Sequence, residues 1–240
     1  MVKKHLSRLN APRTWPIKRK GIKFVIKQSP GPHNFHSSMP ALLVIKELAG
    51  LAEKAKEARK ILREGNLAVN GVVRKSAKFP IGTMDVVEFP AIKKQYRMML
   101  TSKGKFTLVP INEKDAGVLL LKIKNKKVIR GGKIQLNFTN GENMLIEAKD
   151  KDKFSVGDTV VIDKKTRKLS EVLKLEKGSL AYLSAGKKVG TSGVVEGFKK
   201  LSKLAPENIV IKTKDEEFET RKSYAFVVGK GKSLIKLPEK

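Results

Sequence analysis

The sequence predicts an α+β chain, mostly β: a basic N-terminal arm, a small α/β module, a central small antiparallel β-barrel and a C-terminal miniature barrel. Three observations point there. Between residues 51 and 71 one short helical period carries separate apolar and basic stripes and runs into a hairpin signal. After residue 93 the pattern changes to short runs of alternating hydrophobicity separated by glycine turns. The 240 residues include 52 Lys or Arg against 23 Asp or Glu, a net charge of +29, and 40% apolar residues, enough for real cores.

Residues 1–40 form the arm. Pro12, Pro16, Pro30, Gly31 and Pro32 make it rich in loops, and the first acid in the chain is Glu47. Such an arm is expected to stay disordered until it meets phosphate, with Lys3, Lys4, Arg8 and Arg13 as contacts. Trp15, Phe24 and Phe35 can either stack on unpaired bases or anchor the arm to its own protein, and the sequence leaves both open.

Residues 41–92 form the α/β module. Ser37 or Ser38 is expected to cap a first helix, with Pro40 in its first turn and Leu43, Val44, Ile45 and Leu48 on its buried face before Gly50. In the second helix Leu51, Ala55, Ala58, Ile61 and Leu62 share one face, while Lys56, Arg59, Lys60 and Arg63 fall at i, i+3, i+4 and i+7 on another. The four cations project together, toward something negative. Gly65 stands where the helix must end, and Asn70-Gly71, flanked by Leu67, Val69 and Val73, predicts a two-residue hairpin. Helix, turn and hairpin are expected to present one continuous polar surface. Gly82 and Asp85 then lead into a strand of Val86, Val87 and Phe89.

Residues 93–172 form the central β domain, with strands over 106–109, 118–123, 134–138 and 160–162. Lys122 and Lys124 are expected to point outward, and Gly131-Gly132 and Asn140-Gly141 to make the turns. In residues 173–228, Gly186, Gly190 and Gly193 let a tight basic turn carrying Lys187 and Lys188 join two strands of a miniature barrel. Residues 229–240 form a basic tail, expected to be mobile.

The charge excess exceeds the net charge of about 2 to 8 that keeps a small domain soluble, so a polyanionic partner is expected. With no cysteine there is no disulfide framework and no zinc-finger site. The N-terminal segment lacks the apolar core of a secretory signal and no run approaches 18 apolar residues, which predicts a soluble chain that is not exported, and a reducing cytoplasm is compatible with the lack of cysteine. Gly231-Lys232-Ser233 lacks the earlier glycine of a phosphate-binding loop, Phe226 standing there. His33 and His36 have no carboxylate near them in the sequence, so RNA or solvent contact is expected and a metal is not. Acids such as Glu216-Glu217 and Asp150 with Asp152 lie among lysines, where they moderate repulsion. Met98 and Met99 are read as core filling.

Lys54 to Gly71, followed by Gly82 and Asp85-Val86-Val87, resembles the alpha-L RNA-binding motif, and Gly186, Gly190 and Gly193 with Val194 resemble a KOW module. In that order, behind Lys3-Lys4-His5-Leu6-Ser7-Arg8-Leu9-Asn10-Ala11-Pro12 and Ser29-Pro30-Gly31-Pro32-His33, nearly the whole chain is similar to the archaeal and eukaryotic small-subunit ribosomal protein four family. The resemblance implies an SH3-like KOW barrel at the C-terminus and a structural role on small-subunit ribosomal RNA beside other ribosomal proteins, without cofactor, metal, membrane or small-molecule substrate. It implies RNA-facing roles for Lys54, Lys56, Arg59, Lys60, Arg63, Asn70, Arg74, Lys75, Lys187 and Lys188. The rival class, an RNA-modifying enzyme, needs a large catalytic domain and an Arg-Leu-Asp signature, and the sequence holds neither.

Overall fold

The chain divides into two compact units, residues 1–119 and 120–240. The computed structural model describes residues 5–147, 152–200, 207–213 and 216–238.

The first unit is built on a five-stranded sheet in the order Val72–Val73, Ala68–Val69, Val86–Phe89, Lys94–Leu100, Phe106–Pro110. The last two strands lie beyond residue 92, where the sequence suggests a boundary. Val86 pairs with Arg97 and Leu100 with Phe106, so the sheet runs through that point without interruption. Met98 and Met99 are fully buried in it, as core filling requires.

The arm is folded in its described part, which corrects the expectation of disorder. Trp15 is fully buried, and its indole N–H donates to the Ser38 carbonyl at 2.7 Å, with Phe35 edge-on at 5.7 Å. Of the two roles open to these aromatics, both serve as anchors, whereas Phe24 is 50% exposed. The Arg19 guanidinium donates to the carbonyls of Ala11 (2.7 Å), Pro12 (2.8 Å), Arg8 (3.2 Å) and Leu9 (3.3 Å). One cation thus satisfies a run of loop carbonyls that have no ladder partner. We expect Trp15→Phe, which leaves the buried Ser38 carbonyl without its donor, to cost about 1–3 kcal/mol. Limited trypsin digestion checks this, with cleavage at Arg13 and Lys18 accelerating in the variant.

The first helix differs from its expected form. Ser38 does not cap it, because its buried hydroxyl already bonds the Asn34 carbonyl (2.6 Å) and the Gln28 side chain. Ser38–Pro40 pairs instead with Pro80–Gly82 as a short strand. Pro40 occupies the N-cap, the α-turn spans Ala41–Leu43, and Val44–Leu48 continues as a π-helix.

The second unit holds two sheets. The central one has the order Asn143–Ile146, Ile134–Phe138, Val118–Val128, Thr159–Asp163, Leu169–Leu173, closed over Leu121, Ile123, Leu136, Phe138, Phe154 and Val160. Lys122 points inward, contrary to expectation. Its Nζ donates to the carbonyls of Ser223 (2.7 Å) and Ala225, and burial together with the Lys222 charge pulls it down to about 8. Two carbonyls a hundred residues away make burial of that lysine tolerable.

The second sheet orders Glu217–Arg221, Asn208–Lys212, Ser192–Lys199, Ser179–Leu183, Ala225–Lys230 and Lys232–Ser233, antiparallel throughout. Gly186 and Gly190 take φ of +95° and +78° in the connecting turn. Gly193 serves closeness, since a Cβ there would sit 2.6 Å from the Lys212 carbonyl oxygen. The tail past Gly229 is tied down as far as Ile235, which is buried, whereas mobility was expected.

Candidate nucleic-acid interface

The cationic helix spans Ala55–Arg63. Its N-terminus is closed by Glu57, whose carboxylate accepts from the backbone N–H groups of Glu53 (3.0 Å) and Lys54 (3.2 Å). Those hydrogen bonds hold the Glu57 carboxyl below its ordinary value. Ala58 and Leu62 are buried, which fixes the rotation of the helix. Lys56, Arg59, Lys60 and Arg63 are therefore exposed together, with Lys54 at the cap, on a surface set by a packed opposite face. Lys60 approaches Glu64 only to 3.9 Å, and such an exposed pair holds little. Gly65 closes the helix at φ +79°.

The hairpin forms as the sequence predicts: Val69 pairs with Val72 across Asn70 (φ +52°) and Gly71 (φ +81°). Its surface is less polar than expected, because Val72 and Val73 on the edge strand are 41% and 50% exposed. Asn70 turns inward. Its Nδ2 donates to Asp85 Oδ1 at 2.9 Å and its Oδ1 accepts from the Val86 N–H at 2.9 Å, so the amide positions the hairpin and its observed bonds go to protein.

Asp85 is the hub beneath this surface. Its Oδ2 accepts from the Gly82 N–H at 2.8 Å and lies 2.8 Å from His33 Nε2. His33 thus has a carboxylate partner 52 residues away, which corrects the expectation that it faces RNA or solvent. Burial alone would raise Asp85, but the His33 charge and the hydrogen bonds from His33, Gly82 and Asn70 hold it below its ordinary value. Burial alone would lower His33, but the Asp85 charge and hydrogen bond hold it above its ordinary value. The ring packs where any Cβ on Gly82 would stand, 2.4 Å away. Through this pair the segment Ser29–His33 of the arm is docked onto the module that carries the cationic helix.

The remaining candidates separate by exposure. Arg13 and Lys75 are exposed. Arg8 is buried, donating to the Lys18 carbonyl at 2.7 Å, so it holds the arm together. The Arg74 guanidinium lies 4.5 Å from the Phe79 ring centre and is half-buried. Lys187 is exposed, whereas Lys188 Nζ pairs with Glu216 and lies 5.8 Å from the Phe218 ring centre. Acids moderate repulsion in this sheet as expected, Lys212 also meeting Glu196 at 3.1 Å. Lys3, Lys4, Asp150 and Asp215 lie outside the described residues. Lys124 points outward as expected, but sequence reasoning missed the exposed group it forms with Lys127, Arg130 and Lys133 around one hairpin. Its signal was the run of cations from Lys122 to Lys133 without an acid.

Family models match in series along the chain: the RS4NT domain over residues 2–36, the S4 domain over 47–87 and Ribosomal family S4e over 92–169. The small ribosomal subunit protein eS4 of Methanothermobacter thermautotrophicus is 39% identical over 237 residues, covering 98% of this chain and 96% of that one. The eS4 proteins of Methanocaldococcus jannaschii and Staphylothermus marinus are 39% and 37% identical over 98% and 99% of this chain, and 98% and 96% of their own. The crystal structure of the 30S ribosomal protein S4e from Thermoplasma acidophilum superposes with a TM-score of 0.69 at 27% identity, over 80% of this chain and 95% of that one. With an exposed helical cation stripe where the S4 model matches and relatives aligned from end to end, this chain belongs to the eS4 family of small-subunit ribosomal proteins.

Proposed function

We propose that the chain is a structural constituent of the small ribosomal subunit that binds ribosomal RNA through Lys54, Lys56, Arg59, Lys60 and Arg63, with Lys75, Arg13 and Lys187 as further contacts. The observation that carries this is the helix Ala55–Arg63, whose apolar side is locked into a core while four cations stand exposed on the other side. Cations on a rigid element fix register on structured RNA, and the wider charge excess adds affinity through counterion release. The role is structural and not enzymatic, as the names of the relatives indicate. Its partners are ribosomal RNA and neighbouring ribosomal proteins, and the ribosome places it in the cytoplasm.

Sedimentation tests the reading. In a sucrose gradient at moderate salt the endogenous protein is expected with small subunits. Residence in the free pool would favour a visiting RNA factor and overturn the assignment.

A further inference from the structure

The sheet that begins the second unit has one face in the core and one outside it. On its outer face the register places side chains in rows across three strands. Asn125, Asn137 and Asn143 form one row, and Lys127, Gln135 and Leu145 form the next. Asn125, Asn143, Lys127 and Leu145 are exposed, whereas the alternate residues Ile134, Leu136 and Phe138 are buried against Phe154. A face whose only task is solvation favours charged residues of both signs. This one carries four amides, of which Asn125 and Asn143 are exposed; the Asn125 Oδ1 accepts from the Lys126 N–H at 2.8 Å, which holds the amide in place with its NH2 free to donate, and the Asn137 Oδ1 beneath the row is buried with no hydrogen-bond partner among the described residues. At the end of the hairpin the Ile129 N–H meets the Lys133 carbonyl at 2.9 Å across Arg130-Gly131-Gly132, leaving Arg130 and Lys133 exposed beside Lys127. No acid occurs between residues 118 and 141.

We infer that this amide-lined sheet face is a second RNA contact, docking on the minor groove of a double-helical segment of ribosomal RNA. The inference rests on the ribosomal reading above and adds a site to it. An amide both donates and accepts, and so does the 2′-hydroxyl that A-form RNA displays in its wide, shallow minor groove. Three neighbouring strands set the amide row over about 10 Å at about 4.8 Å per strand, a span suited to a groove and not to a single phosphate. Arg130 and Lys133 at the hairpin end then stand where flanking phosphates pass. Cations alone bind any polyanion; the amide rows add a preference for ribose.

The test uses the full-length protein assembled on small-subunit ribosomal RNA and probed by hydroxyl radicals, which report sugar exposure. Wild type is expected to protect two separate RNA regions. Asn125→Ala with Asn143→Ala, both at exposed positions, is expected to lose protection over one duplex segment and keep the region that depends on the cationic helix. Replacing that segment with its 2′-deoxy counterpart is expected to weaken wild-type binding about fivefold and to leave the alanine variant indifferent. Unchanged protection in the variant, or an equal response to ribose and deoxyribose, overturns the inference. Absence of both protected regions in wild type overturns the ribosomal reading itself, a different outcome.

Discussion

Reversing Lys56, Arg59 and Arg63 to glutamate is expected to weaken binding to small-subunit ribosomal RNA roughly 100- to 1,000-fold, at about 1–1.4 kcal/mol or more for each charge-assisted contact. All three side chains are exposed, whereas the helix is held by Ala58 and Leu62, so the melting temperature is expected to stay within about 2 °C. The salt dependence distinguishes local contact from general charge. Each lost phosphate contact lowers the slope of log K against log salt by about one, so the triple variant should lose about three. Filter binding at three salt concentrations reads both quantities. A comparable reversal at Lys200, Lys230 and Lys232, outside the candidate interface, should alter the slope far less.

Asp85→Ala is expected to destabilise the first unit by about 3–5 kcal/mol, the range for removing one partner of a buried ion pair. The loss is large because one carboxylate organises three segments: His33 of the arm, Asn70 of the hairpin and the Gly82 turn. Denaturant unfolding of the full chain measures it. The pair also predicts a pH window. His33 is raised above its ordinary 6.5, so its contribution is complete below that value and is lost as pH rises through the raised one. Asp85 is lowered beneath its ordinary 3.8, so its contribution is complete above that value and is lost as pH falls through the lowered one. Between those two ordinary values both contributions are whole. The stability gap between wild type and His33→Gln should therefore be widest near pH 5 to 6 and shrink on the alkaline side. A gap that grew with pH would contradict a charged His33.

Features with local causes were legible in the sequence. The helix Ala55–Arg63 shows itself through its own spacing, Gly65 and Asn70-Gly71 through the positive φ each adopts, and Ile134–Phe138 through strict alternation. Partners supplied from a distance were not. His33 meets Asp85 across 52 residues and Lys122 meets Ser223 across 101, and nothing in either neighbourhood announces the other. The same holds for the sheet that runs past residue 92, because pairing of Lys94–Leu100 with Val86–Phe89 depends on register. The arm read as disordered from its charge. Trp15 and Arg19 decide otherwise, one filling a core and the other collecting loop carbonyls. Of the candidate contacts, the helical cations were legible because helix geometry alone places them together. The inward bonds of Asn70 and Arg8 were not legible, since a polar residue in a turn or arm gives no sign of which way it points.

The central claim is that cations held by folded modules recognise a nucleic acid's shape. Competition at about 0.15 M salt tests it most directly: the intact protein bound to labelled small-subunit ribosomal RNA, displaced by heparin or by unlabelled cognate RNA. A preference for cognate RNA of at least about 100-fold, abolished by the triple reversal on the helix, is the expected result; equal displacement by both competitors would contradict it.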